Sequence, residues 1–260
     1  VCPQLEGFGY ELMLRPNLEK EAPALGTLVH VGLAYRYGLL LDVRPDWLVY
    51  PDGRHAIWIC GQDRPDLAAE ALRVYDSYCA YYDRLIANGS VRPWKPLLVE
   101  HQFEVPFRMP DGNTEPYTAR LDLVVWDGHE VILCDHKTGS KVSNHKGSSY
   151  ATDRQMLTCL ALARAHGYPI NRVIINAMSR EYPEPHFQRF DVPISHEAYG
   201  RLGADTQEVL MRMQDVRRRF PDPANRPRHN ENCVRKYGKC DFYEICSEGP
   251  HRLVEYKRRT

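Results

Sequence analysis

Apolar residues recur at helical spacing through residues 26–41, GTLVHVGLAYRYGLLL, and predict a buried helix. Residues 45–62 read as a loop with one short apolar run, AIWIC. A second helix is predicted over about 64–87, starting at a proline and stopping before Asn88-Gly89. From Lys95 the period changes to alternation in PLLVEHQFEVPFRM, YTARLDLVVW and HEVILCDHK, which predicts three strands. A helix over about 150–166 ends at Gly167, and two further extended runs follow, NRVIINAMS and PHFQRFDV. A long amphipathic helix spans about 195–220. Helix, three strands, helix, strand, strand, helix implies an α/β sandwich around a small mixed sheet.

Three charges interrupt the strongest strand-like runs. In ARLDLVVWDGHEVILCDHKTGS they are Asp122, Asp135 and Lys137. A buried charge is costly unless it is paired or holds a metal. Asp127-Gly128 between the two runs signals a two-residue hairpin, because a type I′ turn needs positive φ at both central positions. That loop sets Asp122 opposite Leu133 and Arg120 opposite Asp135. Residues that face each other point to the same side of a sheet, and alternate residues share a face. Asp122, Asp135 and Lys137 are thus expected on one side, with His136 on the other. The diagonal between the two aspartates is about 7–8 Å between backbones. Two carboxylates at that spacing can share a hard divalent cation through oxygen. A neighbouring ammonium can orient a water and offset charge on a phosphoryl oxygen. These groups suit metal-assisted phosphodiester hydrolysis. Asp and Lys two apart also occur as an ordinary surface pair, and Glu255-Tyr256-Lys257 has the same spacing. The apolar run before Asp135 and the second aspartate on its face separate the two cases.

The chain has 260 residues, 43% hydrophobic and 26% charged, which fits one large globular domain. Its expected divisions are a helical insertion at about 42–94, a core at about 95–192 and a C-terminal helix and cysteine segment at about 195–260. No apolar run approaches the roughly 20 residues of a membrane helix, so a soluble cytoplasmic protein is expected. With 34 basic and 34 acidic residues the net charge is zero, and attraction of a polyanion would depend on a local patch. The basic clusters Arg217-Arg218-Arg219, Arg235-Lys236 and Lys257-Arg258-Arg259 read as solvated helix faces or tails. Of eight cysteines, Cys60, Cys79, Cys134 and Cys159 lie singly in apolar or helical patterns and read as small core residues. Cys233, Cys240 and Cys246 crowd together near the C-terminus, with Cys2 alone at the opposite end, and suggest metal chemistry.

The pattern ARLDLVV…VILCDHKTG resembles the core of PD-(D/E)XK nucleases, specifically the RecB-like branch with its D-x-K-T-G. This resemblance implies a restriction-endonuclease-like α/β core, a small mixed sheet flanked by helices. It implies that Asp122, Asp135 and Lys137 are catalytic and that the aspartates hold Mg²⁺ or Mn²⁺. LGTLVHVGL resembles the upstream helix of the branch, whose histidine, here His30, is a further metal ligand. Gln155 matches the glutamine on the helix after the active-site strands. Where the family often has a tyrosine four residues later, this chain has Cys159, and where it often has Gly-Arg-hydrophobic before the first aspartate, this chain has Ala119-Arg120-Leu121. Arg120 is a candidate substrate contact, and Glu100 and Glu104 are candidates for an extra acidic contact.

In one group of RecB-like nucleases, including AddB-type subunits and CRISPR-associated exonucleases, one cysteine before the core and three after it hold a [4Fe–4S] cluster. Cys2, Cys233, Cys240 and Cys246 resemble that set, although six residues separate Cys233 from Cys240 where two are typical. Four thiolates suit zinc or an iron–sulfur cluster, and the resemblance favours iron. Such a cluster would clamp the two ends of the chain together. The implied function is a metal-dependent DNA nuclease, an exonuclease on single strands or ends, serving recombination and repair, phage replication or CRISPR adaptation. Its partners would be DNA and a helicase or another recombination or CRISPR protein, with no membrane. The alternative is a non-catalytic nucleic-acid-binding or assembly subunit that keeps the fold and cluster; a zinc-stabilised structural protein is a third.

Overall fold

In chain order the elements are β1 (Leu14–Pro16), α1 (Glu21–Gly38), α2 (Gly53–Cys60), α3 (Pro65–Ala87), β2 (Lys95–Arg108), β3 (Thr114–Trp126) and β4 (Val131–Gly139). They continue with α4 (Arg154–Ala165), β5 (Ile170–Ser179), β6 (Phe187–Asp191), α5 (His196–Arg219), β7 (Val234–Arg235), β8 (Gly238–Lys239), α6 (Tyr243–Glu248) and β9 (Tyr256–Arg258). The structure is a computed structural model that describes residues 14–16, 21–144, 147–227, 234–235, 238–248 and 250–258. Contacts divide the chain into a larger unit, Glu21–Leu202, and a smaller one built from the two flanking segments.

In the larger unit, five strands form a mixed sheet in the order β2-β3-β4-β5-β6. Only β4 and β5 run parallel, and α4 makes the crossover between them. One face of the sheet, with Leu123, Ile132, Cys134 and Ile174, packs on Val29, Leu33, Ile57 and Tyr78 of α1, α2 and α3. The other, with Val124, Leu133, Val173 and Ile175, packs on Met156, Leu160 and Ala163 of α4. A strand covered on both faces is apolar almost continuously, which explains runs such as VILC and VIIN. The expected α/β sandwich with helices on both sides of a mixed sheet is therefore the observed one. Among the described residues no helix is long and apolar enough to cross a membrane.

Several local expectations shift. The run AIWIC belongs to α2, not to a loop. Asp52 is its N-cap, accepting from the His55 N–H at 2.8 Å, so a short helix starts within the stretch expected to be a loop. α1 begins and ends earlier than the apolar pattern suggested, leaving Leu39 and Leu40 exposed. The hairpin register differs by two residues: Trp126 pairs with Val131 and Leu123 with Cys134. The side chain of Asp127 accepts from the N–H groups of His129 and Glu130, both at 2.9 Å, and so closes a four-residue connection in place of a two-residue one. A shift of two leaves every side chain on its expected face. Cys134 and Cys159 are buried as expected, Cys79 is half-buried, and Cys60 is exposed near the end of α2.

In the smaller unit β1 pairs antiparallel with β9, and β7 with β8. Phe242 and Ile245 form a small apolar cluster against half-buried Cys240 and Cys246 and against Tyr256. Cys2 and Cys233 lie outside the described residues.

Gly53 marks the closest approach of α2 to α1. A Cβ there would lie 2.5 Å from the Gly32 carbonyl oxygen, a backbone atom that cannot swing aside. Gly53→Ala is expected to lower unfolding stability by about 1–3 kcal/mol, read as a shift of the denaturant midpoint at unchanged slope.

Candidate metal centre

The paired part of β3 and β4 stops at Leu123 and Cys134. Beyond it the His136 N–H donates to Asp122 Oδ2 at 2.7 Å, so a side chain takes over from the strand ladder. Asp135 follows directly, with Lys137 Nζ 2.6 Å from its Oδ2. His136 points to the opposite side of β4, where it packs beside Tyr37 of α1. This is the face assignment expected from alternation.

The neighbouring strands are distorted at the same level. Leu121 packs with the α4 side of the sheet and Leu123 with the α1 side, although regular alternation would place them together. Across from this break, between the pairs Val99–Leu123 and His101–Leu121, lies Glu100. Its φ of 48° is the one positive value at a non-glycine residue among the described residues. The distortion brings acidic groups toward α1. His30 Nδ1 lies 3.6 Å from Asp122 Oδ2. Donor atoms of His30, Glu100 and Asp122 all lie within 4.8 Å of one another.

The other anticipated residues have different placements. Arg120 does not oppose Asp135; its Nε is 3.1 Å from Glu100 Oε2, and it is largely exposed. In the β2–β3 ladder Arg120 pairs with Gln102, two residues along β2 from Glu100. Gln155 is exposed in the first turn of α4. Cys159 is buried, its thiol 3.8 Å from the Arg120 carbonyl, so this position presents no group to solvent. Glu104 is exposed, and of the two acidic candidates on β2 only Glu100 joins the cluster.

Burial makes these carboxylates weak carriers of charge. Asp135 is pushed up to about 6 by burial and then by the adjacent charge of Asp122. Glu100 rises to about 7 for the same two reasons in the same order. Burial also raises Asp122, although the His136 N–H opposes the shift. Lys137 shows the reverse balance: burial alone would lower it, but Asp135 outweighs burial and holds the ammonium. Burial lowers His30 and leaves a neutral imidazole whose nitrogen can act as a ligand. Mutually repelling carboxylates beside a neutral imidazole nitrogen match the donor set of a divalent cation such as Mg²⁺ or Mn²⁺. The arrangement fits the metal.

A model of the PD-(D/E)XK nuclease superfamily matches residues 2–247. Among solved structures, the crystal structure of a "putative exonuclease" from Eubacterium rectale superposes with a TM-score of 0.50 at 9% identity, covering 90% of this chain and 76% of that one. The crystal structure of SSO0001 aligns with a TM-score of 0.36 at 16% identity, covering 94% of each chain. At 9% identity the first likeness is one of fold. No curated protein matches the chain in sequence.

The raised carboxylates link stability to pH. A carboxyl group whose folded pKa exceeds its ordinary value stabilises the fold below that ordinary value and loses the contribution as pH rises through the folded one. For Glu100 the window runs from 4.5 to about 7. In EDTA, wild type should lose on the order of 2 kcal/mol more than Glu100→Gln between pH 4.5 and pH 8. Urea unfolding across that range measures it; parallel curves for the two proteins would contradict the assignment.

Proposed function

The chain belongs to the PD-(D/E)XK nuclease superfamily, and on that premise we propose that it is a RecB-like, divalent-metal-dependent DNA nuclease, an exonuclease on single strands or DNA ends. Superfamily membership implies a phosphodiester hydrolase with a nucleic-acid substrate. One observation carries the finer reading: the His30, Glu100 and Asp122 donors converge within 4.8 Å beside the Asp135–Lys137 pair.

His30, Asp122 and Asp135 would hold Mg²⁺ or Mn²⁺, with Glu100, which converges with His30 and Asp122, as an additional acidic ligand, and the imidazole nitrogen favours the softer Mn²⁺. When bound, the ion supplies Lewis-acid stabilisation of phosphoryl oxygens and acidifies an attacking water. The chain's own groups do the rest. Lys137, held charged by Asp135, would offset negative charge growing on the phosphoryl group and orient the water. Arg120, largely exposed beside Glu100, would meet a backbone phosphate. Gln155, in the exposed first turn of α4, would orient substrate.

The same reading assigns a [4Fe–4S] cluster to Cys2, Cys233, Cys240 and Cys246. Two features of the smaller unit support it. The pairing of β1 with β9 joins segments from the two ends of the chain, and Cys240 and Cys246 are half-buried against one apolar cluster. Thiolate–metal bonds made only in the folded state would add to stability. A helicase or another recombination or CRISPR protein is the proposed partner.

The decisive assay incubates anaerobically purified protein with end-labelled linear single-stranded DNA and Mn²⁺, Mg²⁺ or EDTA. We expect metal-dependent shortening that Lys137→Ala reduces at least about a hundredfold while Mn²⁺ binding is kept. Folded, iron-loaded protein that cuts nothing would favour the non-catalytic subunit. Cys240→Ser should lose the brown colour and the iron and unfold at lower temperature; a variant as coloured and as stable as wild type would sink the clamp.

A further inference from the structure

Asn176 interrupts the apolar run of β5 at a position with no solvent exposure. It is the neighbour of His136 in the parallel β4–β5 register. Its Nδ2 lies 2.9 Å from His136 Nδ1 and donates to the Tyr78 hydroxyl at 3.0 Å. The Tyr78 hydroxyl is in turn 2.8 Å from that of Tyr37. All four residues are buried, and they come from four elements: α1, α3, β5 and β4.

This polar chain is costly to bury. An apolar core of the same shape would serve the fold as well, and buried polar networks favour uniqueness only where their groups are satisfied. Here Asn176 Oδ1 is buried with no hydrogen-bond partner among the described residues. Such a group calls for an explanation.

The two ends of the chain supply one. Tyr37 lies on α1, two turns beyond His30, and its ring stacks with that of His136, centroids 6.0 Å apart. The His136 ring also meets the His30 ring edge to face at 5.7 Å. His136 lies between Asp135 and Lys137, and its N–H holds the Asp122 carboxylate. The network therefore joins the helix that carries His30 to the strand that carries Asp135, at the residue whose backbone fixes Asp122. We propose that Asn176 and His136 are positioning residues, which set the spacing of the His30 and Asp122 ligands through the buried Tyr37–Tyr78–Asn176–His136 chain. Neither touches reacting atoms. The inference rests on the metal-dependent reading above, and its test uses ion binding, without cleavage.

Mn²⁺ affinity of the full-length protein is measured by calorimetry for wild type, Asn176→Leu, His136→Phe, Asp122→Asn and Ile174→Ala. His136→Phe keeps the ring and the N–H to Asp122 but loses the bond to Asn176. Ile174→Ala removes apolar contacts from the same core cluster but none of the hydrogen-bonding groups of the network. Outer-shell partners of metal ligands cost 10–100-fold in affinity when removed. We expect losses of about that size for Asn176→Leu and His136→Phe, and wild-type affinity for Ile174→Ala. Wild-type affinity in both network variants overturns the proposal, as does an equal loss in Ile174→Ala, which would mean general loosening. If Asp122→Asn binds Mn²⁺ as well as wild type, the metal site itself is wrong and the inference falls with it. Should Asn176→Leu fail to fold, Tyr78→Phe removes one hydroxyl only and is read by the same criteria.

Discussion

The hydrogen bond from the His136 N–H to the Asp122 carboxylate is the interaction on which the rest of the centre depends. A strand that leaves its neighbour must find new partners for its backbone groups. Had the β3–β4 ladder continued past Leu123 and Cys134, its register would have set Asp122 directly opposite Asp135, and like charges directly opposed destabilise a sheet. The strands separate there, and the first aspartate closes the gap with its own side chain. A sheet that is apolar on both faces thus opens locally to admit charge without leaving a backbone donor unpaired.

What that opening admits is held against a gradient. Helices cover the sheet on both faces, so the groups at its centre lie in poorly solvated surroundings. The carboxylates respond by moving toward their protonated forms, whereas Lys137 stays charged because Asp135 is beside it. Were such a centre to bind a divalent cation, the ion would offset the repulsion between its carboxylates. Stability and ion affinity are then two readings of one quantity. The left-handed backbone of Glu100 and the broken alternation of β3 belong to the same economy, since strain of that sort persists only where its surroundings enforce it.

Much of this was legible in the order of residues. The change of period at Lys95 and the punctuation of α3 carried the architecture, and the polar interruptions at Asp122, Asp135 and Lys137 marked the strands of the candidate centre. The register did not follow from Asp127-Gly128, because an aspartate side chain that caps two N–H groups makes a longer loop from the same dipeptide. The partner of Arg120 was misplaced for that reason. The shift cost no face assignment, since it was even. Helix α2 has only eight residues, too few for its apolar run AIWIC to show a helical period. Asn176 carries the same signal as Asp122, a polar residue inside an apolar run, but nothing in NRVIINAMS names Tyr78 or His136 as its partners. Glu100 could be noticed as acidic, but its convergence with His30 depends on a local distortion that no periodicity encodes.

The β1–β9 pair has a consequence of a different kind. Its two strands are far apart in sequence, so the ladder between Leu14 and Arg258 closes a long loop that contains the whole sheet-bearing unit. Contacts of such long range are slow to form, and this one cannot form until β9 has left the ribosome. During synthesis the sheet-bearing unit can assemble from residues already emerged, while the N-terminal strand waits without its mate. The β1–β9 ladder can therefore close only after the sheet-bearing unit has been synthesised, ordered in time by topology alone.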